Sequence, residues 1–178
     1  MRKLLIFLAF VVALTASPQH LKFMGVPIDG TVASFAAKLQ KKGFKVSPLN
    51  ESYGSGVRVL EGTFSNMYVE TYVLYGLENK RVFAVGLCVP FQNYSDMQKL
   101  YNRMCDKLFD KHDNRSDWEQ DGFNFCEIIE DAPDTEQEVG RITLHGAVSE
   151  TGDYELWIDY RDTANSQKYA PSLVAPTE

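Results

Sequence analysis

"MYVETYVLY", residues 67–75, decides how the rest of the chain is read. Tyr68, Glu70, Tyr72 and Leu74 alternate with Met67, Val69, Thr71, Val73 and Tyr75. Successive side chains of a strand point to opposite faces, so this alternation describes a strand with one face packed and the other partly wet. Runs rich in β-branched and aromatic residues flank it, "VRVLEGTF" (57–64) and "RVFAVGLCV" (81–89). The short connections "SN" and "GLENK" join the three into a predicted antiparallel meander.

A helix precedes the meander. In "FMGVPIDGTVASFAAKLQKKGF" (23–44), Thr31 is a good N-cap, and Val32, Phe35, Ala36 and Leu39 recur at the spacing of one helical face. Lys38, Lys41 and Lys42 suit the C-terminal end of the dipole, and Gly43 is placed to end the helix. After Pro90 the pattern returns. Met97, Leu100, Tyr101, Met104, Cys105 and Leu108 predict an amphipathic helix from about Ser95, its N-cap, to about Lys111. An acidic linker follows, then "FNFCEII" (123–129), "GRITLHGAV" (140–148) and "YELWIDY" (154–160). The fold class predicted is therefore α+β: two α-β-β-β halves, about 21–90 and 91–162, forming one curved antiparallel sheet with two helices packed on one face. The other face is left for solvent or a partner, and residues 163–178 are expected to form a flexible C-terminal tail.

The chain opens "MRKLLIFLAFVVALTAS", a basic start, an apolar run from Leu4 to Leu14 and then small residues, which reads as a signal peptide over 1–16. Its removal leaves 16 Lys+Arg against 24 Asp+Glu, a formal charge of −8. An acidic surface repels phosphate backbones, so nucleic acid is not an expected partner. There is no second apolar run long enough to span a bilayer, and the mature chain, 17–162 before its tail, has the size of a single domain. The expected location is the periplasm or the extracellular medium. An oxidising compartment permits one pair among Cys88, Cys105 and Cys126: either all three are buried free thiols, or Cys105 joins Cys88 or Cys126.

Catalytic chemistry has no visible carrier. His20, His112 and His145 have no metal-ligand spacing. "DWEQDG" (117–122) matches the opening of a calcium loop, but the twelfth place, which needs a bidentate Glu, holds Ile128. Glu127, Glu130, Asp131, Asp134, Glu136 and Glu138 form an acidic block read as a solvated loop. Nucleophile-elbow, C-x-x-C, phosphate-loop and H-E-x-x-H motifs are missing. No catalytic residue, metal ligand or cofactor is assigned. What remains is aromatic: Tyr68, Tyr72, Trp157 and Tyr160 lie in strands of both halves, and any of them on the wet face offers a large side chain ringed by acidic residues, a composition suited to recognition.

Lys22-Phe23, Gly25, Pro27-Ile28, Gly30, Phe35, Leu39 and Lys42-Gly43-Phe44 make the segment 21–44 resemble the opening of small secreted proteins of unknown function from gut bacteria. That resemblance implies helix, secretion and a strand-rich body, and carries no activity. The tandem helix-then-strands order is more loosely similar to the β-lactamase-inhibitor and PepSY-like folds, which implies a sheet that binds a protein or peptide. The expectation is a secreted or periplasmic non-enzymatic binding protein whose open sheet face takes a protein, peptide or glycan. The alternatives are a small periplasmic hydrolase assembled from distant residues, such as His145 with acidic-block carboxylates, and a structural subunit of an envelope assembly.

Overall fold

Thr31 does what its position asks: its hydroxyl accepts the Ser34 backbone N–H at 3.3 Å and starts α1, Val32–Gln40. The chain leaves α1 through Gly43 at φ 96°, and the Phe44 N–H closes back on the Leu39 carbonyl at 3.2 Å. The structure, a computed structural model, describes residues 19–109, 114–133, 135 and 137–170. The expected signal peptide, His112, Asp134, Glu136 and the tail beyond 170 lie outside the described residues.

A two-residue hairpin, β1 (Lys22–Phe23) and β2 (Val26–Pro27), precedes α1. After α1 come β3 (Lys45–Val46), a 3-10 turn over Pro48–Glu51, β4 (Val57–Phe64), β5 (Met67–Tyr75) and β6 (Val82–Phe91). Then follow α2 (Tyr94–Phe109), β7 (Arg115–Gln120), β8 (Phe123–Asp131), β9 (Glu138–Val148), β10 (Tyr154–Asp162) and α3 (Thr163–Tyr169). Strands β3 to β10 form one eight-stranded sheet in the order β3-β4-β5-β6-β10-β9-β8-β7, every pair antiparallel. The fold is α+β with an antiparallel sheet.

Four differences from the sequence reading have physical causes. The Asn93 side chain, not Ser95, caps α2, accepting the Asp96 N–H at 2.9 Å while its amide donates to the Asp96 carboxylate. The supposed acidic linker contains β7, which shows no apolar alternation because it is an edge strand with nearly every residue exposed. α1 and α2 are thus each followed by four strands rather than three, the additional ones being β3 and β7. In "DWEQDG" the Asp121-Gly122 pair, at φ 52° and 79°, is the two-residue turn of the β7–β8 hairpin, and Ser65-Asn66 does the same between β4 and β5. Of the acidic block, Glu127, Glu130 and Asp131 belong to β8 and Glu138 to β9, so much of it is strand and not loop.

The expected flexible tail begins instead with α3. Asp162 is fully buried and its carboxylate accepts the N–H groups of Asn165 and Leu21, both at 2.9 Å, with His20 Nδ1 at 3.1 Å. The Asn165 amide donates to the Ile28 carbonyl at 2.7 Å, so α3 is bonded to the segment that precedes α1.

Alternate strand residues form one core. Val69 and Val73 of β5, Val85, Leu87 and Val89 of β6, Leu156 and Ile158 of β10 and Ile142 and Leu144 of β9 share a buried cluster with the apolar faces of α1 and α2. Burying such side chains contributes about 1.5–3 kcal/mol each. No helix of the described residues is long and apolar enough to cross a membrane.

Candidate functional site

The residues between those core positions define the second face of the sheet. Direct partners in an antiparallel ladder share a face, so the register can be followed from strand to strand. One row runs Lys45, Glu61, Glu70, Cys88, Trp157, His145, Phe125, Trp118 across β3, β4, β5, β6, β10, β9, β8 and β7. The next runs Val59, Tyr72, Gly86, Asp159, Thr143, Glu127, Ser116. The buried cluster on this face is small, Val59, Tyr72 and Cys88 with Val57 and Trp157 against it.

Aromatic rings and carboxylates on this face are joined tip to tip. The Tyr72 hydroxyl donates to Glu70 Oε2 at 2.6 Å and stands 3.1 Å from the Tyr53 hydroxyl. Trp157 Nε1 donates to Glu155 Oε2 at 2.9 Å, and the Tyr68 hydroxyl bonds to Glu61, which holds the phenol above its usual range. The rings also pack on each other: Trp157 and Tyr53 both lie with their centroids 5.2 Å from that of Tyr72. Burial, then the bonds to Glu70 and Tyr53, keep the Tyr72 phenol protonated well above its ordinary range. Gly86 makes room for this row, since a Cβ there would stand 2.8 Å from Asp159 Oδ1.

A second aromatic group occupies the β7–β9 end. Trp118 stacks on Phe125 at 5.2 Å and Phe125 on His145 at 4.9 Å, with interplanar angles of 18° and 8°. His145 Nε2 is 3.3 Å from Asp159 Oδ2. These rings wall a recess of about 480 Å³ whose polar lining includes Glu127, Thr143, Asp159, Arg141 and Arg161. Arg141 makes a two-pronged contact with Glu138, both bonds 2.9 Å, and reaches Glu127 at 3.1 Å. The Arg141 contact, then the Thr163 hydroxyl, hold the Glu138 carboxyl below its usual range.

Of the residues singled out from sequence, the structure brings Tyr68, Tyr72 and Trp157 together on the second face. Tyr68 is 64% exposed, whereas Tyr72 is only 9% exposed, wedged between neighbouring rings. Tyr160 is a correction. It has the opposite parity on β10, its ring meets Phe23 edge-on at 5.4 Å in the core, and burial pushes its hydroxyl up to about 12. All three cysteines are free thiols, Cys88 on the second face and Cys105 and Cys126 in the core. Cys105 accepts hydrogen bonds from Cys126 and Tyr101, which favour its thiolate and hold Cys126 up.

Sequence reasoning missed Glu61, Glu70, Glu155, Asp159, Cys88 and Phe125. A signal for two of them was present: Glu70-Thr71-Tyr72 and Glu155-Leu156-Trp157 both set a carboxylate two residues before a ring, the spacing that puts both on one face of a strand. Chemically the arrangement presents rings fixed at their tips and carboxylates with oxygens left over. Burial, then Glu155 and Glu70, push the Cys88 thiol up to about 12, so it stays protonated and is a poor nucleophile. Among the described residues no three of His, Cys, Asp and Glu converge as a metal site. No protein-family model, curated protein or solved structure matches the chain.

Proposed function

We propose that the chain is a secreted or periplasmic non-enzymatic binding protein that holds a protein, peptide or glycan on the second face of its sheet. In this reading the two halves, each a helix and its strands, make one curved sheet, and both helices lie on the core face, leaving the second face for the partner. The observation that carries the proposal is the set of rings tied to carboxylates at Tyr68, Tyr72 and Trp157 on that face. Large side chains held in one conformation lose little entropy on binding, which is why such rings dominate recognition surfaces.

The test is to immobilise the purified protein, expose it to the envelope and culture-medium fraction of its source, and identify what is retained at moderate salt. Hydrogen exchange on the complex then maps the contact. Protection of β4, β5 and β10 supports the proposal, and protection confined to α1 and α2 contradicts it.

One observation favours a second reading. His145 and Asp159 face each other at 3.3 Å beside a recess that also holds Glu127 and Thr143, a pairing usable for proton transfer in a small hydrolase. Hydrolysis of ester, peptide or glycoside substrates that is abolished by His145→Ala would establish that reading in place of the first.

A further inference from the structure

We infer that the partner of the second face is a basic polypeptide segment, its Lys or Arg side chains set against the rings and carboxylates of β4, β5 and β10. The inference rests on the binding reading above and names the ligand class for that same face.

Charge complementarity carries it. The two rows described above, with Glu155 and Arg161 on β10 and Arg141 on β9, give this face five carboxylates, Glu61, Glu70, Glu127, Glu155 and Asp159, against two guanidiniums and the ammonium of Lys45. Arg141 is already engaged by Glu138 and Glu127. Among the described residues, Glu61, Glu70 and Glu155 have no ion-pair partner. Glu61 and Glu70 are direct cross-strand partners, an arrangement in which like charges oppose folding, and Lys45 opposite Glu61 on β3 offsets it from one side without closing an ion pair. A cation between them turns that repulsion into attraction.

The rings favour the same occupant. Ring faces are electronegative and attract ammonium and guanidinium groups. Because the tips of Tyr68 and Trp157 are bonded to carboxylates, each of these rings presents a cation with a π-face and an anionic oxygen together, while the buried Tyr72 ring supports Trp157 from behind. A neutral glycan would use the rings and leave three carboxylates unpaired. Glu61 and Glu155 stand on strands separated by β5 and β6, about 14 Å apart at the usual strand spacing, and an extended segment of roughly five residues reaches across.

The test uses the chain expressed in full and purified as the cell processes it, labelled for NMR. It is titrated with a peptide of about ten residues alternating Lys and Gly, with the same peptide acetylated at every lysine, and with a linear glucose oligosaccharide. The expected result is that the lysine peptide alone shifts the signals of Tyr68, Tyr72 and Trp157. The joint variant Glu61→Gln, Glu70→Gln, which keeps shape and hydrogen bonding, should then weaken binding about tenfold. If the acetylated peptide or the oligosaccharide shifts these signals equally, the basic partner is wrong while the face remains a recognition surface. If the lysine peptide binds the variant as tightly as the original, it is held elsewhere and the inference fails. If none of the three disturbs the second face, the inference fails and the binding reading loses its support as well.

Discussion

The two faces of β5 are built to different rules. Val69 and Val73 are wholly buried against the helices and make no polar contact, so the core face is held by packing. Tyr68, Glu70 and Tyr72, interleaved with them along the same strand, are held by hydrogen bonds between ring tips and carboxylates. Packing is cheap to specify and intolerant of change in volume. An exposed tip-bonded ring such as Tyr68 is fixed at its end and leaves the rest of the ring available, whereas Tyr72 is also gripped by the Tyr53 and Trp157 rings.

The largest effect separating the faces should come from truncation. Phe35→Ala or Ile158→Ala removes a fully buried side chain and is expected to cost about 3–5 kcal/mol of stability by denaturant unfolding. Glycine substitution sharpens the contrast. A Cβ at Gly62, on the core face, would stand 2.5 Å from the buried Phe44 ring, whereas at Gly86, on the second face, it meets the end of the Asp159 side chain at 2.8 Å and the Trp157 ring at ordinary contact distance, 3.8 Å. Gly62→Ala should therefore cost about 1–3 kcal/mol, and Gly86→Ala clearly less while disturbing the Asp159–His145 contact. Among the described residues one polar defect breaks the rule of the core face: the Thr71 hydroxyl is buried without a hydrogen-bond partner. Thr71→Val should raise stability by about 1 kcal/mol, since it removes an unsatisfied group at constant shape.

The smallest effect is electrostatic and lies at the β9 end. Glu138 has its carboxyl pulled below its ordinary value of 4.5 in the folded protein. Its contribution is then fully present above that value and is lost as pH falls through the lower, folded one. The melting temperatures of the native chain and Glu138→Gln should differ at pH 7 and converge in acid. A gap that persists under acid conditions would show that the bond from Thr163, and not charge, holds this corner.

The same contrast explains what the sequence made legible. The core face was readable because apolar periodicity is a local signal: α1, α2, β4 to β6 and β8 to β10 carry it, and the antiparallel sheet followed. β7 was not, because an edge strand exposed on both sides has no alternation to show, and its Asp121-Gly122 turn lay in a segment that matched only the opening of a calcium loop. α3 escaped because its anchor is Asp162, whose partners Leu21 and His20 are distant in sequence. On the second face the rings were visible one by one, but Tyr160 was assigned with them. Trp157 and Tyr160 differ by three positions, an odd number, so a strand must send them to opposite sides. The ring–carboxylate pairs within a strand were legible in principle, while Glu61 opposite Glu70 depends on register, which the connection alone did not fix.

The central claim is that the second-face rings serve a partner rather than the fold, and Tyr68→Ala tests it most directly because Tyr68 is the most exposed of them. Unfolding free energy and ligand retention should be measured on the same preparation. The account predicts stability unchanged within about 0.5 kcal/mol and loss of the component that the native chain retains. A variant that unfolds easily, or one that keeps the same component as tightly as the native chain, would contradict it.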